Sequence, residues 1–211
     1  MLNYINLLTL LAAYLLGAIP SAVWIGQAFY GIDVRKFGSG NAGASNTFRI
    51  LGKKAGIPVL IMDIMKGWSA VNLVYLLSSY AQGSEPFINF QIGCGIAALL
   101  GHIFPIYVGF RGGKGVATLL GIIIAIHPYT ALICMAVFLI VFFTTRIISI
   151  SSMLAGITFP FVMFLLFKPP SMSLKIFSVA VAVMVVVTHK KNIGRLMRGE
   201  EFRVNLFNKN K

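Results

Sequence analysis

The stretch VATLLGIIIAIHPYTALICMAVFLIVFFTT, residues 116–145, decides how this chain folds. It is almost entirely apolar and longer than the roughly 20 residues that a helix needs to cross a bilayer. His127 and Pro128 interrupt it near the middle, and a proline ends or kinks a helix. The stretch therefore predicts two membrane helices joined by a turn at residues 127–128.

The rest of the chain has the same apolar character. Of its 211 residues, 58% are hydrophobic and only 11% are charged, which is more apolar surface than a soluble domain of this size can bury. We therefore expect an all-α, polytopic membrane protein forming a single domain over residues 1–211. The 18 Lys and Arg residues against 5 Asp and Glu residues indicate contact with an anionic membrane leaflet or with anionic substrates. Nucleic acid is not an expected partner, because no soluble domain is left to present a basic face.

Apolar length predicts seven transmembrane helices. They cover residues 7–30 (interrupted at Pro20 and Ser21), 55–79, 87–108, the two halves of 116–145, 150–167 and 174–188. The first is expected to be a retained helix, since it lacks the basic start and cleavage site of a signal peptide. Lysines and arginines concentrate in alternate connections and in the tail, whereas the opposite side holds only Lys168 and Lys175. Basic loops stay in the cytoplasm, so the N-terminus is predicted outside and the C-terminus inside.

Three polar stretches fall on the predicted cytoplasmic side: GSGNAGASNTFR (38–49, the first polar stretch), FRGGKGVAT (110–118, the second) and THKKNIGR (188–195, the third). Each combines hydrogen-bond donors with glycine and has no carboxylate. Glycines let backbone amides approach an oxyanion, and a helix beginning just after them adds a partial positive charge. Arg49 and Lys114 add full charges. The pattern favours a phosphate site in which the three stretches meet, with solvated glycine-rich turns as the alternative.

Several other site types do not fit. The GGKG sequence at 112–115 lacks the spacing of a nucleotide-binding P-loop, because Val108 and Gly115 stand where it needs a glycine and a serine or threonine. Few carboxylates argue against a magnesium–phosphate site, so neither metal nor cofactor is expected. Cys94 and Cys134 lie in apolar runs and are predicted to be small buried hydrophobes.

A few single residues stand out. Ser39 is flanked by glycines, so it is either an accessible catalytic hydroxyl or a turn serine. His189 precedes two lysines that favour its neutral form, as a general base requires, although it could equally cap a helix. Asp63 and Lys66, three residues apart inside a span, are expected to form an internal ion pair. His102 is expected to orient the loop that follows it.

With these segments in view, the sequence closely resembles the PlsY family of bacterial membrane glycerol-3-phosphate acyltransferases. The resemblance runs nearly end to end through SGNAGASN with Arg49, GHIFPIYVGFRGGKGVAT, SISS and THKKNIGRLMRGEE. It implies seven spans in the bacterial cytoplasmic (inner) membrane, with the active site facing the cytoplasm. It also implies transfer of a fatty acyl group from acyl-phosphate to the 1-hydroxyl of glycerol 3-phosphate, giving lysophosphatidate and phosphate, the first step of phospholipid synthesis.

The resemblance also implies residue roles. Ser39 and His189 are the expected catalytic residues, and Glu201 is expected to be structural. The expected substrate-binding residues are Asn41, Gly43, Asn46, Arg49, Gly112, Gly113, Lys114, Gly115, Ser152 and Asn192. The implied partners are glycerol 3-phosphate, fatty acyl-phosphate and the lipid bilayer, and the oligomeric state is open, with a monomer as one option.

No sequence motif marks an aspartate that would orient a Ser–His couple, so we expect direct attack by the glycerol hydroxyl without an acyl-enzyme. A transporter of organic phosphates is one alternative, although the chain lacks the two equal inverted halves typical of many carriers. A phosphatase of lipid precursors is the other, and it should carry more acid or histidine chemistry.

Overall fold

In the computed structural model, which describes residues 4–168 and 171–204, the regular structure is helical throughout. The chain divides into two compact units, an N-terminal unit ending at Pro128 and a C-terminal unit beginning at Tyr129. The all-α prediction is confirmed. The expectation of a single domain over residues 1–211 stays a prediction.

Over residues 4–128, the N-terminal unit contains six α-helices and two short 3₁₀ turns. The helices are α1 (Tyr4–Ala18), α2 (Ser21–Tyr30), α3 (Ala44–Leu51), α4 (Lys53–Leu77), α5 (Glu85–Ile103) and α6 (Val116–Ile126), and the 3₁₀ turns are Val34–Lys36 and Ile106–Val108. Small residues let these helices approach closely, as in other membrane bundles. A methyl group on Gly17 of α1 would collide with the Ala98 backbone of α5, and one on Gly67 of α4 with the Thr118 carbonyl of α6.

The C-terminal unit contains the remaining helices: α7 (Pro128–Thr145), α8 (Ile148–Val162) continued by a π-helical turn (Met163–Phe167), α9 (Met172–Thr188) and α10 (Lys190–Met197). Phe159 of α8 and Phe177 of α9 meet edge to face with ring centroids 6.1 Å apart. A methyl group on Gly156 of α8 would lie 3.1 Å from the Val185 side chain of α9, so these two helices pack closely.

The predicted break points are confirmed. Pro20 separates α1 from α2, and His127 ends α6 immediately before α7 begins at Pro128. Two of the polar stretches contain short helices: α3 covers the second half of the first polar stretch, and α10 covers most of the third. Each is eight residues long and turns its inner face toward the protein, where Asn46 and Thr47 of α3 and Asn192 of α10 are buried.

Over residues 4–168 and 171–204, the helices that are long enough to cross a membrane are fewer than the seven spans predicted from the sequence. Within the described residues, four helices are long and apolar enough to cross a membrane, and two bent pairs raise the number to six. The bent pairs are α1–α2, at 41°, and α9–α10, at 56°. The remaining apolar helix, α6, has 11 residues and is therefore only about 16 Å long, short of a hydrocarbon core of about 30 Å. Seven spans and the orientation of the termini stay predictions.

Candidate active site

The first polar stretch is a glycine-built turn that leads into α3. Gly38 and Gly40 have φ angles of 60° and 75°, in the left-handed region that glycine adopts without penalty. Ser39 lies between them and is only partly exposed. Its backbone amide donates to Asn46 Oδ1 at 2.9 Å, and the Asn41 side-chain amide lies 3.4 Å from its hydroxyl. The serine is thus held at the tip of a defined turn.

Asn46 organises this turn from below. Its side chain is 2% exposed, and Nδ2 donates to the carbonyls of Val34 (2.9 Å), Phe37 (3.1 Å) and Asn41 (3.1 Å). The side-chain amide of Asn46 therefore uses both its nitrogen and its oxygen in hydrogen bonds to the loop that carries Ser39. This geometry suits a positioning role, and direct contact of Asn46 with substrate stays a prediction.

The start of α3 offers room for an anion. Gly43 is the N-cap residue in an extended conformation, and its carbonyl accepts the amides of Asn46 and Thr47. Among the described residues other than Gly43 and its two chain neighbours, no atom lies within 4 Å of the position that a Cβ on Gly43 would occupy. Arg49 follows in the last turn of the same helix and is half-buried. A helix that begins just after the glycines is the arrangement expected for phosphate binding.

The second polar stretch folds back onto the end of α5. The Gly112 amide donates to the Ile103 carbonyl at 3.1 Å, and the Gly113 amide donates to the His102 carbonyl at 3.3 Å. These two amides are therefore engaged within the fold. Lys114 and the start of α6 follow directly, and α6 begins just after Gly115. The amides in the first turn of a helix have no carbonyl partner within that helix.

The first and second polar stretches lie against each other. A methyl group on Gly113 would be 2.9 Å from the Ala42 carbonyl and 2.5 Å from His102 Nε2, so the two backbones meet at this point. Arg35, just before the first stretch, donates to the carbonyls of Val108 and Arg111 on the other side. Two of the three stretches thus form one surface within the N-terminal unit.

A buried ion pair lies in the helices beneath this surface. Lys66 Nζ is 2.9 Å from Asp63 Oδ1 and donates to the Ile19 carbonyl at 2.8 Å. Ser21 donates to the same carboxylate oxygen at 2.8 Å. The ion pair predicted from the sequence is confirmed, and its hydrogen bonds satisfy charges that would otherwise be costly to bury.

His102 links this ion pair to the second polar stretch. Its Nδ1 is 3.8 Å from Asp63 Oδ1 and 3.2 Å from the Thr118 hydroxyl of α6, and the side chain is 5% exposed. Its carbonyl accepts the Gly113 amide. The expectation that His102 orients the following loop agrees with these contacts, whereas no sequence signal identified Thr118.

The third polar stretch belongs to the C-terminal unit. His189, at the junction of α9 and α10, is 3% exposed, and its Nδ1 lies 2.7 Å from the Val185 carbonyl. Because a carbonyl can only accept, Nδ1 carries the proton of the neutral ring and Nε2 carries the lone pair. The contact thus sets the tautomer of the neutral ring and leaves Nε2 as the nitrogen that can accept a proton.

Glu201 connects α8 and α10 through hydrogen bonds to its carboxylate. Its carboxylate accepts hydrogen bonds from Asn192 (2.6 Å), Arg195 (2.7 Å) and Ser149 (2.9 Å), and its side chain is 4% exposed. Burial raises the pKa of Glu201, and the three hydrogen bonds lower it by more than burial raises it. The pKa of Glu201 therefore lies below the usual glutamate value. The side-chain amide of Asn192 therefore donates to Glu201. Ser152, one turn into α8, is 4% exposed.

The predicted site residues divide between the two units. Ser39, Asn41, Gly43, Asn46, Arg49 and residues 112–115 lie in the N-terminal unit, and Ser152, His189, Asn192 and Glu201 lie in the C-terminal unit. The meeting of the first two polar stretches is visible within one unit. The prediction that the third stretch joins them stays a prediction.

Known proteins with similar sequences and structures identify the family. The family described as glycerol-3-phosphate acyltransferase matches residues 7–199. A glycerol-3-phosphate acyltransferase of Enterococcus faecalis is 41% identical over 202 residues, covering 92% of this chain and 90% of its own length. The protein of the same description from Macrococcus caseolyticus is 42% identical over 199 residues, covering 93% and 96%.

Solved structures agree. The crystal structure of PlsY, an integral membrane glycerol 3-phosphate acyltransferase, in its glycerol 3-phosphate form has a TM-score of 0.84 at 33% identity, covering 96% of this chain and 99% of that one. The lysophosphatidic acid form gives 0.80 at 33% identity, covering 95% of both. By sequence and by fold, this chain belongs to the family of integral membrane glycerol-3-phosphate acyltransferases.

Proposed function

We propose that this protein transfers a fatty acyl group from acyl-phosphate to the 1-hydroxyl of glycerol 3-phosphate, giving lysophosphatidate and inorganic phosphate, the first step of bacterial phospholipid synthesis. The observation that carries the proposal is the contact between the first and second polar stretches at Ala42 and Gly113. This contact brings together two helix starts, α3 and α6, on the chain segments that hold Arg49 and Lys114. Two phosphorylated substrates need such a donor-rich surface. Solved PlsY relatives in glycerol 3-phosphate and lysophosphatidic acid forms support the same substrate and product.

The chemistry needs orientation more than an elaborate nucleophile. An acyl-phosphate is a mixed anhydride with a good leaving group, so the glycerol 1-hydroxyl attacks the acyl carbon directly. The new ester bond forms as the bond from the acyl carbon to the phosphate oxygen breaks, and inorganic phosphate leaves. Arg49 and Lys114 stabilise the charge that develops on the departing phosphate.

The hydroxyl proton needs an acceptor. We assign it to His189 Nε2, to a substrate phosphate, or to Ser39, whose hydroxyl passes its own proton on to a phosphate as it accepts the new one; none of these routes needs a metal or cofactor. The Val185 carbonyl on His189 Nδ1 favours the ring form that accepts a proton at Nε2. No acyl-enzyme forms in this scheme, so the remaining roles belong to residues that bind and orient: Asn41, Gly43, Asn46, Gly112, Gly113, Gly115, Ser152 and Asn192, with Glu201 structural.

The proposal includes a location. An apolar acyl donor and a water-soluble acceptor meet most readily at a membrane surface, and the basic residues favour the cytoplasmic face of the bacterial inner membrane. The protein is proposed to act there as a multi-pass enzyme, in the simplest case as a monomer.

Phosphate release in detergent tests the function. Purified protein receives palmitoyl-phosphate with and without glycerol 3-phosphate, and parallel reactions receive palmitoyl-CoA instead. The proposal expects phosphate and lysophosphatidate only when palmitoyl-phosphate and glycerol 3-phosphate are both present. Phosphate release without acceptor would instead identify a phosphatase, and uptake of glycerol 3-phosphate into vesicles without any acyl transfer would identify a carrier. Rapid acylation of the protein by palmitoyl-phosphate alone would contradict direct attack.

A further inference from the structure

One guanidinium, that of Arg35, joins the two polar stretches of the N-terminal unit. Its Nε and one terminal nitrogen bind both carboxylate oxygens of Asp33, at 2.8–3.2 Å. The other terminal nitrogen donates to the Val108 carbonyl at 2.7 Å and to the Arg111 carbonyl at 3.2 Å. The planar group therefore presents one edge to its own segment and the other to a segment more than 70 residues later in the chain.

The two accepting carbonyls bracket an unusual turn. Between Val108 and Arg111 lie Gly109, with φ of 72°, and Phe110, with φ of 58°. A left-handed conformation is strained for a bulky residue such as Phe110 and persists only when surrounding contacts enforce it. Arg35 supplies such contacts on both sides of the turn, at the Val108 and Arg111 carbonyls. Arg111 lies three residues before Lys114.

Asp33 holds the guanidinium in place. The side chains of Asp33 and Arg35 are 13% and 21% exposed, and Asp33 also accepts the Arg35 backbone amide at 3.0 Å. The hydrogen bond from the Arg35 side chain lowers the pKa of Asp33, so the pair stays ionised at neutral pH. A bidentate arginine pair with little exposure is more rigid than a surface lysine bridge.

We propose that Asp33 and Arg35 form a positioning pair that sets the second polar stretch against the first, so that Lys114 and the start of α6 face the substrate phosphate. The pair does not touch the substrate in this scheme and acts through the turn at 109–110. The inference rests on the proposed function, because it assigns the positioned surface to phosphate binding.

Steady-state kinetics of four variants test the pair. Arg35→Met removes the guanidinium, Arg35→Lys keeps the charge without the planar fork, and Asp33→Asn loosens the anchor. Lys36→Met is the matched control, since it removes an adjacent, exposed charge. We expect Arg35→Met and Arg35→Lys to raise the KM for at least one phosphorylated substrate about tenfold or more, with a smaller change in kcat. Asp33→Asn should raise the same KM about threefold, and Lys36→Met should leave KM and kcat unchanged.

The outcomes separate this inference from the proposed function. Unchanged KM values in both Arg35 variants, alongside a large loss in Lys114→Ala, would overturn the positioning pair alone. Unchanged KM values in Lys114→Ala as well would overturn the phosphate surface and with it the proposed function. Should Arg35→Met fail to fold, Asp33→Asn decides, and an unchanged KM in that variant would reject the pair. A fall in kcat with constant KM would also reject it, since a displaced binding loop must weaken binding.

Discussion

Replacing Gly113 with alanine perturbs the point at which the first and second polar stretches meet. The new methyl group would lie 2.5 Å from His102 Nε2 and 2.9 Å from the Ala42 carbonyl. An ordinary contact for carbon is about 3.5 Å, so the methyl must retreat by about 1 Å from the ring. His102 is buried against Thr118, and the Ala42 carbonyl is backbone, so the second polar stretch has to move.

The size of the effect follows from this displacement. Overpacking of this kind typically costs about 1–3 kcal/mol, which leaves a folded protein when the total stability is about 5–15 kcal/mol. A shift of about 1 Å in a substrate-positioning group can cost about 100-fold in rate. We therefore expect Gly113→Ala to lose at least tenfold in kcat/KM, mainly through KM for a phosphorylated substrate, while most of the protein remains folded.

The assay combines kinetics with a measure of folding. Lysophosphatidate formation is followed at varied glycerol 3-phosphate and at varied palmitoyl-phosphate, and thermal unfolding in detergent is recorded for the same samples. Gly93→Ala is the matched control, because, apart from its own helix backbone, its methyl would meet only the Leu10 side chain among the residues that the structure describes, at an ordinary 3.5 Å. The control should keep both the kinetics and the unfolding temperature.

Two results would refute this reasoning. If Gly113→Ala folds like the wild type and keeps its kinetics, the contact with Ala42 does not position the substrate. Alternatively, the variant could unfold while its surviving fraction keeps the normal KM, which would make Gly113 a residue of stability alone.

Three further predictions concern the network, the tail and the charge. Thr118→Val should raise KM severalfold, because it leaves His102 Nδ1 without its hydroxyl partner at a cost of about 1–3 kcal/mol, whereas Thr118→Ser should behave like the wild type in the same kinetics. Because the pKa of Glu201 is lowered in the folded protein, the stabilising contribution of its carboxylate is present above about pH 4.5 and is lost as pH falls further. Glu201→Gln should therefore flatten the acid side of a plot of unfolding temperature against pH. Equal slopes for the variant and the wild type would contradict this. Lys114→Ala should sharply weaken use of a phosphorylated substrate while His127→Ala changes little, and equal losses in kcat/KM would count against the site.

Features set by local chemistry could be predicted from the sequence. Pro128 favours a helix boundary, and α6 and α7 separate at that residue. Apolar length placed the other long helices within a few residues of their observed ends. Asp63 and Lys66 were expected to pair because an unpaired charge inside a membrane is too costly, and they do pair.

The short helices α3 and α10 could not be found in this way. Helices of eight residues are marginal in isolation, so packing of their inner faces decides whether they form. In α3, this packing involves the polar residues Asn46 and Thr47, both almost fully buried. A search for apolar runs does not detect such faces.

The sequence also cannot show which acceptor each hydrogen-bond donor faces. Glycine-rich segments offer amides for phosphate, but the amides of Gly112 and Gly113 bind the fold's own carbonyls. Similarly, the sequence presents Arg35 as one more basic residue between two apolar segments, and only the structure shows its partner carbonyls, which are distant in sequence. Sequence identifies which residues can bind an anion, and only the fold shows which of them face it.

A structure of this protein with glycerol 3-phosphate bound would show whether the three polar stretches form one site. We expect the phosphate within hydrogen-bonding distance of Arg49 or Lys114, and the 1-hydroxyl next to residues 188–195. A phosphate bound away from residues 38–49 and 110–118, or a third polar stretch far from both, would rule out the proposed site.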